Sequence, residues 1–324
     1  MSEWTKPLIL VSKCLEFDHC RYDGSMISSD FVKKIKPFVT FLPVCAEMEI
    51  GLGVPRKSLR LIKQDDEIRL VQPATEKDCT DDMISFANSF LQKHDNIHGA
   101  ILKTRSPSCG IKDVKLYPGS KNAAPMKRTT GLFGSIVLKQ FPGVVETEGR
   151  LRNTFIQEHF LVSSFLLADF EKTKKNLKIN DLVSFHSKNK FLIMAYNQAT
   201  LHELGRITAN QEGREISSIF SSYEKLLYSL FSKPPTHKRI INVLMHLFGY
   251  ISDNLSKEEK KFFLDLVEKY RNEKISLNVI THVLKSWVVR FAEPYLCKQT
   301  FFNPFPEELL EEQLSVIADQ QRYW

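Results

Sequence analysis

The first half of the chain alternates short apolar runs with polar stretches that carry a helical stripe. Residues 8–14 ("LILVSKC"), 38–45 ("FVTFLPVC") and 97–103 ("IHGAILK") are brief and apolar, the pattern of strands. In "TDDMISFANSFLQKH", residues 80–94, Met83, Ile84, Phe86, Ala87, Phe90 and Leu91 recur at helical spacing. Thr80, Asp81 and Asp82 suit the start of that helix. Strands alternating with helices predict an α/β domain, Rossmann-like with three layers and a mostly parallel sheet.

From about Arg150 the pattern is helical throughout. "ISSIFSSYEKLLYSLFSK" is amphipathic and stops at Pro234-Pro235, and "HKRIINVLMHLFGYISDNL" follows. "SKEEKKFFLDLVEKYRNEK" opens with Ser256 and Glu259 at the S-x-x-E spacing of a capping box. "SLNVITHVLKSWVVRFA" runs to Pro294. With no strand alternation here, the second domain is expected to be all-α. Pro142, Gly143 and Gly149 interrupt regular structure in "KQFPGVVETEGR". The expected domains are therefore residues 1–148 and 149–324. No internal repeat is present.

Composition changes this picture little. At 43% hydrophobic and 26% charged residues, the chain is an ordinary folded one. No apolar run reaches the roughly 18 residues that span a bilayer, and the apolar N-terminal stretch is shorter than a signal-peptide core. A cytoplasmic protein with no membrane partner is expected. Charge adds more. Residues 101–140 hold eight basic side chains, among them Lys103, Arg105, Lys121, Lys127 and Arg128, against one acid, Asp113. That excess equals the net charge of the whole chain, +7. A basic segment this dense suits a polyanion, and it also suits a solvated lysine-rich loop.

Six cysteines, Cys14, Cys20, Cys45, Cys79, Cys109 and Cys297, form no CxxC pair. In a chain of this length a disulfide scaffold is not expected. Cys14, Cys45 and Cys109 each follow a predicted strand directly or within a few residues. In a parallel sheet the strand ends share one edge, and ligands bind in the crevice there. The three thiols are thus candidates to meet in space. Structural zinc takes four protein ligands, and a [4Fe–4S] cluster usually takes four cysteines. Three would leave one iron open to substrate. Three separate buried thiols are the plainer alternative. Glu47 lies two residues past Cys45 in "PVCAEMEIGLGVPR", suited to a general base. Ser106 and Ser108 flank Cys109, suited to hydrogen-bonding a ligand or to shaping a turn.

Three segments, "LILVSKCLEFDHCRYDG", "PVCAEMEIGLGVPR" and "AILKTRSPSCG", resemble the motif blocks of the thiouracil desulfidase (TudS-like) family in order and separation. "FLIMAYNQATLHELGRI", "INVLMHLFGYISDNLSKEEK" and "EPYLCKQTFFNPFPEEL" are similar to the YbgA-like helical domain often fused to it. The fusion resembles the RudS-type desulfidases, which act on 4-thiouridine in tRNA. The resemblance implies a [4Fe–4S] cluster held by Cys14, Cys45 and Cys109, with Glu47 and Ser106 as catalytic residues. Ala46 stands where many relatives have proline, and Cys20 where many have an apolar residue. Cys20 could serve as an accessory thiol, and its expected role is that of a small core residue.

The implied reaction is hydrolytic conversion of 4-thiouridine to uridine with release of hydrosulfide and no net redox change. Ser108, Lys103, Arg105, Lys127 and Arg128 are expected to bind the substrate. The helical domain is expected to bind or position the tRNA. The sequence leaves the oligomeric state open, with a monomer as the default. A desulfidase of free thiopyrimidines such as 4-thiouridine monophosphate, a non-catalytic iron–sulfur or RNA-binding protein, and a structural zinc protein remain alternatives.

Overall fold

The computed structural model describes residues 4–119, 124–210 and 213–310. They form two compact units, one of residues up to 169 with 308–310, the other of residues 170–307.

The first unit is built on a four-stranded parallel sheet. Its strands are β1 (Leu8–Ser12), β2 (Thr40–Val44), β6 (Gly99–Leu102) and β9 (Val145–Thr147), in the order β2-β1-β6-β9. Ile9, Leu10 and Val11 of β1 and Ala100, Ile101 and Leu102 of β6 are fully buried. Such unbroken apolar runs mark strands covered on both faces. Pro43 lies in β2, which pairs with β1 alone among the described strands. An edge strand accommodates a residue that cannot donate to the ladder.

Between these strands run α1 (Asp30–Ile35), α2 (Ala46–Glu49), α3 (Thr80–Lys93) and α4 (Leu132–Gln140). The expected stripe of α3 is observed: Met83, Ala87 and Leu91 are buried, and Phe86 stacks on Phe133 of α4. α5 (Thr154–Lys174) begins in this unit, where Phe160 meets Phe31 and Phe165 meets Trp4. The break expected at 148/149 precedes this helix, whereas the two compact units divide within it.

Two features differ from the pattern-based expectation. A second sheet of five strands, β3 (Arg60–Gln64), β4 (Glu67–Gln72), β5 (Lys77–Asp78), β7 (Val114–Tyr117) and β8 (Lys127–Thr129), runs in the order β5-β4-β3-β7-β8. It is mixed, with only β3 and β7 pairing in parallel. Its strands are short and half polar, so no apolar run announces them. The segment 139–150 is also not merely irregular: it carries β9, the fourth strand of the parallel sheet. Only three residues long, β9 lies between the glycines that suggested a linker.

The second unit is helical. It contains α6 (Ile179–Lys188), α7 (Lys190–Tyr196), α8 (Gln198–Ala209), α9 (Ile216–Leu230), α10 (His237–Ile251), α11 (Lys257–Arg271) and α12 (Leu277–Phe291). Phe170 stacks on Tyr223 and meets Phe185 edge-on, while Phe248 stacks on Phe263. The capping box at Ser256 and Glu259 is present in both halves. The first domain is α/β and the second all-α, as the pattern predicts. Among the described residues no helix is long and apolar enough to cross a membrane.

Candidate active site

The carboxyl ends of β2, β1 and β6 stand side by side at one edge of the parallel sheet. From β1 the chain steps to β2 on one side, and β6 lies on the other, so the strand order reverses here. Such a reversal opens a ligand crevice. Cys14 sits in the turn after β1, Cys45 immediately after β2 as the N-cap of α2, and Cys109 in the turn after β6. Cys14 and Cys109 are buried and Cys45 partly so.

A fourth thiol joins them. Cys20 is buried, and its side chain is within hydrogen-bonding reach of both Cys14 and Cys45. It does more than fill core space: it touches two of the candidate ligands. Its neighbour Cys14, opposed by Cys45 and assisted by burial, pushes its pKa up to about 11. Cys45 is raised by its contact with Cys20 and then by burial. Burial pushes Cys109 up to about 12, the Glu47 and Cys45 charges add to that, and the Ser12 and Ser106 hydroxyls oppose it. Crowded, desolvated thiolates repel one another, and a cationic group among them is what would stabilise the anions.

The loop that carries Cys109 is docked on the start of α4. The Leu132 amide donates to the Pro107 carbonyl (3.0 Å), and the Gly134 amide to the Ser108 carbonyl (2.9 Å). The approach is close enough to demand glycine. A Cβ on Gly131 would lie 2.6 Å from the Ser108 carbonyl oxygen, and one on Gly134 would lie 2.7 Å from that of Cys109. Ser106 Oγ accepts the amides of Ser108 (3.2 Å) and Cys109 (3.1 Å), which fixes the turn that presents the thiol.

Glu47 lies in the single turn of α2. Its Oε1 accepts the hydroxyl of the fully buried Ser108 (2.8 Å). Its Oε2 accepts Arg56 Nε (2.7 Å) and pairs with Nη2 (2.7 Å). The Arg56 side chain is only 4% exposed. Its Nη1 donates to the carbonyls of Cys20 (3.0 Å) and Gly53 (2.9 Å), so one guanidinium ties the loops after β1 and β2 together. Sequence reasoning passed over Arg56. The signal available was an arginine closing the Gly/Pro loop that follows the carboxylate. Of the two serines, Ser108 is the one that reaches Glu47, while Ser106 organises the backbone around Cys109.

The expected substrate-binding cations divide into two sets. Lys103, Arg105 and Arg128 line a cavity of about 540 Å³ beside the loops after β6 and β9, together with Lys112, Arg150 and Arg152. Its two acids are engaged locally. Glu148 accepts the Lys103 ammonium and the Thr104 amide, and Asp113 accepts the Thr104 hydroxyl and the Arg105 amide. Lys103 is thus largely neutralised, and Arg150 pairs with Glu146. Arg105 adopts a left-handed backbone (φ 58°). Lys127 is exposed on β8 and does not line the cavity. Lys121 lies outside the described residues.

A thiol-rich crevice at the carboxyl edge of a parallel sheet, with a partly buried carboxylate beside it, defines an α/β protein equipped for metal-cluster or thiol chemistry. Residues 9–149 match the model of the 2-thiouracil desulfurase family, and residues 190–306 match that of a protein of unknown function (DUF1722). The chain belongs to the 2-thiouracil desulfurase family, with a YbgA-like helical region following the desulfurase region. It is 33% identical over 110 residues to the uncharacterized protein YbbK of Bacillus subtilis (strain 168), covering 32% of this chain and 73% of that one. It is 24% identical over 148 residues to the uncharacterized protein YbgA of Escherichia coli (strain K12), covering 45% of this chain and 88% of that one. Among solved structures it is similar to a [4Fe-4S]-dependent thiouracil desulfidase, TudS, at 25% identity, covering 45% of this chain and 94% of that one, with a TM-score of 0.35.

Proposed function

We propose that this chain replaces the thiocarbonyl sulfur of 4-thiouridine in tRNA by oxygen and releases hydrosulfide, using a [4Fe–4S] cluster held by Cys14, Cys45 and Cys109. The observation that carries the reading is the placement of these three thiols at the ends of three adjacent parallel strands, with Glu47 beside them. The donor set suits the cluster. It is all sulfur, the choice of iron–sulfur centres. When bound, the cluster supplies a Lewis-acidic iron free of protein ligands and matched to a soft thiocarbonyl sulfur.

The chain's own groups account for the proton movements. C=S and water become C=O and hydrosulfide, so water must lose protons as its oxygen adds to the pyrimidine carbon. Glu47 is the base. Arg56 occupies its Oε2, whereas among the described residues Oε1 holds only the Ser108 hydroxyl and has a lone pair to spare. Ser106 Oγ accepts two amides and its O–H reaches the Cys109 sulfur, and with that sulfur bound to the cluster the O–H would turn to donate to the developing charge on the base. The uncompensated cations of the basic cavity, Arg105, Lys112 and Arg152, suit the phosphates of an RNA strand. The modified base would have to leave its stack to reach the crevice.

The test is hydrosulfide release by the anaerobically reconstituted full-length protein from thiolated tRNA, 4-thiouridine monophosphate and free thiouracil. Turnover of the tRNA supports the reading. Turnover of the nucleotide with tRNA untouched moves the substrate to free thiopyrimidines, and no turnover of any of the three removes the activity.

A further inference from the structure

The helical unit holds a cavity of about 530 Å³ formed by residues of α6, α7, α8 and α10. That volume suits a ligand of nucleotide size. The desulfidase reading uses none of its residues.

Its charged lining has one sign. Lys190 at the start of α7 and Arg206 on α8 line it together with His186, His202 and His246, and among the described residues no Asp or Glu does. Among the described residues neither Lys190 nor Arg206 has an acidic partner. Two cations sharing a hollow without a counter-ion repel each other, and an anion between them relieves that repulsion. His186 is the most enclosed of the histidines. Its Nδ1 is 3.1 Å from the Tyr223 hydroxyl, and burial, with help from the Lys190 charge, lowers its pKa. Gly205 faces Nε2 of the same ring, and the missing side chain keeps that part of the cavity open.

The rest of the lining includes the apolar and aromatic side chains of Phe191, Met194, Leu201 and Tyr250, with the Lys190 ammonium 5.7 Å from the centre of the Phe191 ring. Phe191 is buried and meets Tyr250 edge-on at 5.9 Å, which holds the half-exposed tyrosine ring in place. Gln198 adds an amide that both donates and accepts. Aromatic surface in the same cavity as cations without an acidic partner, with one amide added, matches a ligand that joins a flat heteroaromatic ring to a phosphate.

We propose that this cavity is a nucleotide-binding site, with the phosphate held by Lys190 and Arg206 and the base set against Tyr250. The inference stands apart from the desulfidase reading. The shared chemistry, a base and its phosphate, comes either from a free mononucleotide or from one unstacked nucleotide of an RNA strand.

The full-length protein is titrated calorimetrically with uridine monophosphate and, separately, with a short single-stranded oligouridylate. Arg206→Glu and Tyr250→Ala, both at exposed positions, are measured beside the wild type, with thermal melts to verify folding. Binding of at least one probe is expected. It should weaken by about tenfold or more in Arg206→Glu through the lost charge-assisted bond. It should weaken by about fivefold or more in Tyr250→Ala through the lost stacking surface. Binding of the mononucleotide identifies a free nucleotide as occupant, and binding of the oligonucleotide alone identifies an RNA segment. If neither probe binds, or if the folded variants bind as the wild type does, the proposal is overturned. Should one variant unfold, the other decides.

Discussion

Glu47 carries three hydrogen-bond or ion-pair contacts in the crevice, one from Ser108 and two from Arg56. Glu47→Gln keeps the shape and removes the base. Hydrosulfide release should fall by about 100-fold or more, the usual worth of a general base, with iron content unchanged. Full activity in that variant would take Glu47 out of the mechanism. Arg56→Ala should act on stability first. It strands a carboxylate whose side chain is 13% exposed beside a guanidinium site that is 4% exposed. Urea unfolding should show a loss of about 3 kcal/mol, the typical cost of breaking a buried pair. A change under 1 kcal/mol would mean that solvent already screens the pair. At this scale the three cysteines were legible because each follows an apolar run. Arg56 was not, because its partner is fixed by how the loop from Gly51 to Pro55 closes. Cys20 was undervalued for the same reason: six residues past Cys14 in sequence, it returns to touch it.

Local spacing rules set some elements and long-range pairing sets others. The box at Ser256 and Glu259 depends on four residues and is visible in the sequence. Ser256→Ala should cost about 1 kcal/mol in urea unfolding. The Ser256 amide and Arg290 hold the Glu259 carboxyl below its usual range. A depressed folded pKa means that its stabilisation is present above the unfolded value and disappears as pH falls through the folded value. Glu259→Gln should therefore flatten part of the stability loss on acidification, as urea melts from neutral pH down to about pH 3 would show. An unchanged acid limb would contradict this. The strand β8 is polar, and β7 alternates only Val114 and Leu116 over four residues, a pattern too short to announce a strand before its pairing with β3 and β8 is known. The docking of α4 on the Cys109 loop was equally hidden, because a glycine's close contacts are not written in its neighbours. Gly134→Ala would press a methyl against the Cys109 carbonyl. It should cost about 1–3 kcal/mol by overpacking and lower the iron bound per chain after reconstitution.

For the molecule as a whole, the change of pattern near residue 150 and the local charge excess were both legible. The charge excess marked a basic surface, but the structure shows which charges remain available. Lys103 and Arg150 are paired internally, whereas Arg105, Lys112 and Arg152 are not paired with an acid among the described residues. If these contact phosphates, tRNA affinity should fall steeply with salt, and Arg152→Ala should lower the slope of log affinity against log salt by about one unit. An unchanged slope would place the RNA elsewhere.

The central claim, that three converging thiols hold a cluster which desulfurises a thiolated base, is tested most directly by one assay. Hydrosulfide released from thiolated tRNA is quantified for the anaerobically reconstituted protein, with Cys109→Ser as the paired variant. The account predicts hydrosulfide in step with the uridine formed and none above background in the variant. Equal release by both proteins, or uridine formed without hydrosulfide, would contradict it.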